Sequence, residues 1–402
     1  MAHQGHDPVR ILHVLPLITA RAGGPVAFAT EAAEALSARG VHSTLFATDL
    51  GHGPASGEWR RVATDELPPN VEYLDLHLFP VRPPRRLAHS PSMSARLDRV
   101  ARDFDLVHIH SLWLFPQFAA QRAAQRAGVP YVVSPHGALD PYLRRHGRVR
   151  KALTDLAWQR RMLANAVVLH ITTAQEGELI ADIAPGTPRE IVPVGVSTER
   201  LLAPGDGERF RRKHLAGRPG DIVLFLGRLT YKKGIDVLIR SFAHVAREIH
   251  GVTLVVAGPD DERLLPRLEE IVRAENLADR VVFPGPLYQE DRADAFAASA
   301  VWALSSYTEN FGVAVMEALA VGLPTIVSTE VNLAEAIRGS DAGVVAGLDP
   351  AEFGGALLNL LRDQALRDGL RDRGRAFAAG YDWSAVAPQL EAMYRRALSI
   401  AG

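Results

Sequence analysis

The chain has 402 residues, enough for two domains of typical size. Its 45 basic side chains nearly cancel its 46 acidic ones, which excludes bulk electrostatic attraction to nucleic acid. Cysteine is absent, excluding disulfides and thiolate chemistry, and no run of about 18 apolar residues suggests a spanning helix.

The first residues, MAHQGHDPVRILHVLPL, lack the basic region, apolar core and small-residue cleavage site of a signal peptide, so a cytoplasmic protein is expected. Arg10–Leu17 reads as a buried strand, and Gly23-Gly24-Pro25 opens an Ala-rich helix that stops at Gly40. Val41–Thr48 is a second strand. Strand, glycine turn, helix, strand is the βαβ signature of a parallel sheet. The pattern resumes with Val71–Phe79, Asp105–His110, a helix over Gln117–Ala127 and a strand over Tyr131–Ser134. Pro80–Ser94, rich in Pro, Arg and Ser, reads as a mobile loop. Asp140–Leu163 is largely helical and basic: Arg144, Arg145, Arg148, Arg150, Lys151, Arg160 and Arg161 stand against Asp140 and Asp155. Such a face is either simply solvated or meets anionic lipid or a phosphorylated acceptor. Strands over Ala166–Thr172 and Glu190–Val194 close the first half.

Ser197–Gly220 suits a linker and a short helix, after which the pattern starts again. Strands fall at Ile222–Gly227, Val252–Ala257, Val281–Pro284 and Val301–Leu304, with helices at Gly234–Ile249, Leu264–Glu275 and around Arg292–Ala297. Ser305–Ser328 follows, then a strand at Gly343–Ala346, a helix at Ala351–Leu361 and two terminal helices. The expected fold class is α/β, with two doubly wound, Rossmann-like domains facing a central cleft. Ligands in such sheets bind beyond the carboxyl ends of the strands.

Ser305–Ser328 (SSYTENFGVAVMEALAVGLPTIVS) reads as strand end, polar loop, a helix of about three turns and another strand, with Gly322 and Pro324 stopping the helix. Glu309 lies in the loop and Glu317 in the helix's second turn. Between them the first helical N–H groups have no intrahelical partner and favour an anion. Read blandly, the same stretch is a core helix with two solvated glutamates. The second half opens with IVLFLGRLTYKKGIDVLI, which places Arg228 and Lys233 at the carboxyl end of a strand beside a helix start. Cations there suit a diphosphate, and Lys232 and Lys233 are poor helix starters without an anion to meet. A basic loop facing solvent is the plain reading. No cluster has metal-ligand spacing. His108 and His110 share one strand face, but Asp105 points to the other, and Asp103-Phe104-Asp105 lies where a strand begins. No catalytic metal is therefore expected.

GRLTYKKG, followed about 75 residues later by ENFGVAVMEALAVGLP, resembles glycosyltransferase family 4, the retaining GT-B enzymes, of the bacterial surface-polysaccharide or glycolipid type. Gly23-Gly24, DLVHIHSLW and SPHGALDP extend the likeness over nearly the whole chain. The resemblance implies an acceptor-side domain at 1–195, a donor-binding domain at 196–380 and a helix at 381–402 that crosses back. It implies transfer of a hexosyl unit from a UDP- or GDP-hexose, with no cofactor and no metal, to a sugar or lipid-linked acceptor.

The resemblance also implies roles for particular residues. Glu309, His136, Arg228 and Lys233 would form the catalytic set. Arg228 and Lys233 would neutralise the diphosphate, Glu309 would hold hydroxyls of the transferred sugar, and Glu317 would accept from the ribose. Backbone amides of Asn310, Phe311, Gly312 and Val313 would contact sugar or phosphate, Gly23 and Gly24 would let the backbone approach the phosphates, and His136 would sit by the donor sugar. His110 and Trp113 come on the acceptor side, where Trp113 either stacks on a sugar or is a buried aromatic. Val194-Gly195-Val196 departs from the Asn-Gly pair that many relatives carry near the inter-domain turn. The rival readings are a nucleotide-sugar epimerase of similar two-domain fold and a non-catalytic nucleotide-sugar-binding protein.

Overall fold

The computed structural model describes residues 8–18, 24–50, 60–61, 74–145, 147–202 and 204–401. Gly23 and the first part of the Val71–Phe79 stretch lie outside them. The chain forms two compact units, one of Met1–Gly195 with Trp383–Gly402, the other of Val196–Asp382.

The first unit is built on eight strands: β1 (Val9–Val14), β2 (Val41–Thr48), β3 (Arg60–Arg61), β4 (Asp75–Phe79), β5 (Leu106–His110), β6 (Tyr131–Ser134), β7 (Val168–Ile171) and β8 (Arg189–Ile191). Their order is β3-β4-β2-β1-β5-β6-β7-β8, parallel throughout except for the antiparallel edge pair β3–β4. Alternation of side chains along each strand sends Leu45, Ala47, Leu76 and Leu78 to one hydrophobic cluster and Phe46 and Phe79 to another, so both sheet faces are covered. The final helix, Trp383–Ala401, belongs to this unit. The Trp383 indole N–H donates to Glu31, and Arg396 pairs with Glu190. Gly195 lies against the Trp383 ring, where a Cβ would come within 2.3 Å of Cδ2, so this turn has no room for a side chain.

Pro80–Ser94 is a loop as far as Ser90 and helical from Pro91 onward. A 3-10 turn at Arg85–Leu87 leads into a helix over Pro91–Val100. Ser90 caps it by accepting from the Met93 N–H, Pro91 occupies the first turn, and Met93, Leu97 and Val100 are buried at helical spacing. The basic stretch forms helices at Pro141–Arg145, Arg148–Thr154 and Arg160–Ala164, the last two joined by a π-turn at Asp155–Gln159.

The second unit carries six strands, β9 (Ile222–Leu226), β10 (Thr253–Ala257), β11 (Val281–Gly285), β12 (Val301–Leu304), β13 (Thr325–Ser328) and β14 (Val344–Ala346). All pairs are parallel in the order β11-β10-β9-β12-β13-β14. The strand order reverses between β9 and β12, and a crevice forms at such a switch point. No described helix is long and apolar enough to cross a membrane.

Candidate functional site

The loops leaving β9 and β12 are stitched together by their backbones. Beyond β9 the chain passes through Gly227 and Arg228 to a 3-10 turn at Tyr231–Lys233, then Gly234, then a helix over Ile235–Glu248. Gly234 takes φ 60°, and a Cβ there would stand 1.9 Å from the carbonyl oxygen of Ser305, the residue after β12. Ser305 Oγ donates to the Gly234 carbonyl (2.7 Å), and the Tyr307 N–H donates to the Lys232 carbonyl (2.8 Å). The rings of Tyr231 and Tyr307 stack with centroids 5.1 Å apart, and the Tyr307 hydroxyl donates to Asp236. Glu309 is held in turn by a strand-like bridge: its N–H donates to the Glu330 carbonyl, and its own carbonyl accepts from the Asn332 N–H.

This stitching turns the anion that Lys232 and Lys233 need into a residue of the chain itself. Lys233 Nζ hydrogen-bonds Glu309 Oε2, Lys232 Nζ lies 3.8 Å from Oε1, and both Lys233 and Glu309 are nearly buried. Burial alone would push the Glu309 carboxyl up, but Lys233, Lys232 and Arg228 outweigh it and hold it at about 2. Lys233 is shifted down as well, by burial and by the neighbouring Lys232 and Arg228 against the pull of Glu309. The surplus of cations over the one carboxylate they share lowers Glu309 against its burial, and at Lys233 it adds to the larger effect of burial. Arg228 also reaches Asp261 at 3.8 Å and keeps much of its guanidinium in solvent.

The helix after Glu309 runs over Val313–Ala320, about two turns instead of three. Gly312 caps it in the left-handed region at φ 74°, and Gly322, at the same φ, ends it. The Phe311 ring is buried against Tyr381 at 5.7 Å, so only its backbone is available to a ligand. Glu317 does not stand free. It pairs with Arg292 from the helix Gln289–Ala298, a partner that no spacing in the sequence marked.

In the first unit, Gly24 is the exposed first residue of the helix Gly24–Ser37. His136 follows β6 at φ 52°, and its Nε2 lies 2.9 Å from His110 Nδ1. The register pairs His13 of β1 with His108 of β5, which brings His13, His108 and His110 onto one face. Their ligand nitrogens all lie within 4.8 Å of one another, a grouping of three that the spacing of His108 and His110 alone did not reveal.

The two expected acceptor residues are given other work. His110 is fully buried between His13 and His136. Trp113 is buried under the basic helix: its indole N–H donates to Asp155 (2.7 Å), its backbone N–H donates to Gln159, and Lys151 Nζ stands 4.3 Å above its ring. Of the two readings of Trp113, the buried aromatic is the one the packing supports.

Comparison with known proteins adds to this geometry. The profile described as "Glycosyl transferase 4-like domain" matches residues 23–196, and that described as "Glycosyl transferases group 1" matches residues 206–377. A D-inositol 3-phosphate glycosyltransferase of Frankia alni is 31% identical over 313 residues, covering 74% of this chain and 75% of the relative. Among solved structures, sucrose-phosphate synthase from Thermosynechococcus elongatus aligns with a TM-score of 0.79 at 22% identity, over 97% of this chain and 99% of that one. HepE of Anabaena, solved with UDP and glucose, aligns with a TM-score of 0.75 at 16% identity, over 96% of this chain and 100% of the other.

Proposed function

We propose, from the premise that this chain belongs to the family-4-like glycosyltransferases, that it moves a hexosyl unit from a nucleotide-diphosphate sugar to an acceptor with retention at the anomeric carbon and without a metal. The observation that carries the reading is the cluster of Lys232, Lys233 and Arg228 around the nearly buried Glu309, in the loops at the switch point between β9 and β12. A diphosphate entering there relieves the surplus of positive charge, and the two cations Arg228 and Lys233 stabilise the charge that grows on the leaving group. The acceptor hydroxyl attacks on the face that the diphosphate leaves, through an oxocarbenium-like transition state, and the departing phosphate takes its proton. Glu309 holds sugar hydroxyls and supports the anomeric carbon. Amides of residues 310–313 contact sugar or phosphate and Glu317 accepts from the ribose; in the first unit, the family resemblance gives Gly24 a role toward phosphate and His136 a role toward sugar. An epimerase would need an acid and a base facing the sugar, and Glu309 and Glu317, each tied to a cation, do not form that pair.

The ligands with which HepE was solved, UDP and UDP-glucose, favour a UDP-hexose donor. UDP-hexose is expected to raise the melting temperature with the logarithm of its concentration. With acceptor present, the product should keep the donor's anomeric configuration, and a chelator should leave the rate unchanged. An inverted product, or no stabilisation by any nucleotide-sugar, would end the proposal. The acceptor panel contains inositol 3-phosphate, which the Frankia relative's name points to, beside glycolipid and polysaccharide acceptors.

The basic helix favours the lipid-linked side of that panel. Val149, Leu153 and Leu156 are 76%, 64% and 85% exposed, and Arg145, Arg148 and Arg160, on the three successive helices of this basic stretch, are exposed as well. Exposed apolar side chains with a basic flank suit the surface of an anionic membrane, which would make this a cytoplasmic enzyme in peripheral contact with the bilayer. The protein should float with anionic vesicles and not with zwitterionic ones. Leu153→Asp with Leu156→Asp, or Arg145→Gln with Arg148→Gln, should abolish flotation; unchanged flotation would leave a merely solvated face.

A further inference from the structure

Four imidazoles, those of His108, His110, His136 and His170, surround Phe28, His13 lies against His108 and His110, and the hydrogen bonds of the five form two separate lines. The direction of the first line is set at one end. His170 Nε2 lies 2.8 Å from the Val192 carbonyl oxygen, which only accepts, so that nitrogen carries the proton. His170 Nδ1 therefore accepts from Ser134 Oγ–H (2.6 Å), Ser134 accepts from His108 Nε2–H (2.6 Å), and His108 Nδ1 accepts from the Tyr394 hydroxyl (2.7 Å). Every donor has its acceptor.

The second line runs through His13, His110 and His136, with His13 Nδ1 3.0 Å from His110 Nε2 and His110 Nδ1 2.9 Å from His136 Nε2. Burial favours the neutral form of all three rings. Burial pushes His13 and His136 down to about 3 and His110 well below its ordinary value. Among the described residues no carbonyl sets the direction here, but His13 Nε2 does, because it is buried with no hydrogen-bond partner among them. Run from His136 to His13, the line leaves His13 with a proton on that nitrogen, an orphaned buried donor. Run from His13 to His136, it leaves only an unused lone pair. Orphaned buried N–H groups are the rarer of the two. His136 also holds φ 52°, unusual for a residue with a side chain, and its ring lies nearly parallel to that of His110, with centroids 5.2 Å apart and planes 11° apart. Unlike the other four, it is part-exposed.

We propose that His13 and His110 are positioning residues that hold His136 in its Nδ1–H tautomer, so that His136 meets its ligand as a hydrogen-bond donor and not as a base. The ligand contact rests on the donor-site reading above, whereas the tautomer does not. The test is a long-range proton–nitrogen NMR spectrum of the full chain labelled with nitrogen-15 in histidine, with the His136 signals assigned by their loss in His136→Gln. His13, His110 and His136 should all show the Nδ1–H pattern and His108 and His170 the Nε2–H pattern. An Nε2–H pattern for His136 overturns the inference and leaves the donor-site reading standing. Metal retained in stoichiometric amount after purification also overturns it, since the grouped nitrogens of His13, His108 and His110 would then be ligands. Unchanged transfer in His136→Gln overturns the donor-site reading and removes the ligand contact with it. In His110→Leu the His136 signals should become a tautomer mixture and kcat/KM should fall about tenfold, the scale of one lost oriented hydrogen bond. His110→Gln, whose amide can still accept from His13 and donate to His136, should recover most of that loss; equal losses in the two variants would reduce His110 to a packing role.

Discussion

Replacing Lys233 by alanine is expected to lower kcat by about a hundredfold, a loss of roughly 3 kcal/mol of leaving-group stabilisation. Lys233 is nearly buried at the carboxyl end of the β9 loop, and its ammonium is the closest cation to Glu309. Its removal has a second effect. Glu309 keeps Lys232 at 3.8 Å but loses its hydrogen-bonded partner, and a nearly buried carboxylate left that way costs stability. The two effects separate in a double variant. Lys233→Ala with Glu309→Gln removes both charges, so the melting temperature should recover while turnover stays low. If Lys233→Ala turned over near the normal rate, the proposed role in meeting the diphosphate would fall.

Gly234→Ala should be a damaging change although it adds only a methyl group. At φ 60° any L side chain is strained, and the new Cβ would stand 1.9 Å from the Ser305 carbonyl oxygen, which is backbone and has no rotamer to escape into. The expected cost is about 3 kcal/mol, a fall of roughly 6–12 °C in the melting of the second unit. Activity should fall further than stability explains, because moving Ser305 displaces the Tyr307–Lys232 contact and with it the Lys233–Glu309 pair. The comparison to make is kcat/KM at a temperature where the variant is fully folded. A Gly234→Ala protein with unaltered melting and activity would show that the two loops are not locked together as described.

Much of the second unit was legible because its signals are local. The apolar runs of β9, β10 and β12 are completely buried strands, and Gly312 and Gly322 delimit a helix whose ends need left-handed residues. At the end of Pro80–Ser94 the loop expectation runs too far: composition reads as loop up to Ser94, while the cap at Ser90 and burial of Met93, Leu97 and Val100 start a helix at Pro91. In that contest burial wins, since a capped apolar face outweighs the loop preference of a few polar residues. Trp113 and His110 show what strand-end position leaves open. Period-two alternation turns His110 inward beside His108, and the basic helix, more than forty residues on, closes over Trp113.

By itself the sequence determined the two doubly wound halves, the loops that carry Arg228, Lys233 and Glu309, and the family to which the chain belongs. These are short-range matters of periodicity, capping and backbone sterics, which a stretch of ten or twenty residues expresses without its neighbours. Only the tertiary structure decided which charges and imidazoles meet. Lys233 finds Glu309 across 76 residues and His13 finds His110 across 97, while Arg292 takes Glu317 from a separate helix. Those pairings depend on which strands lie side by side at the switch points and on which face alternation leaves each side chain, and no local pattern carries that information.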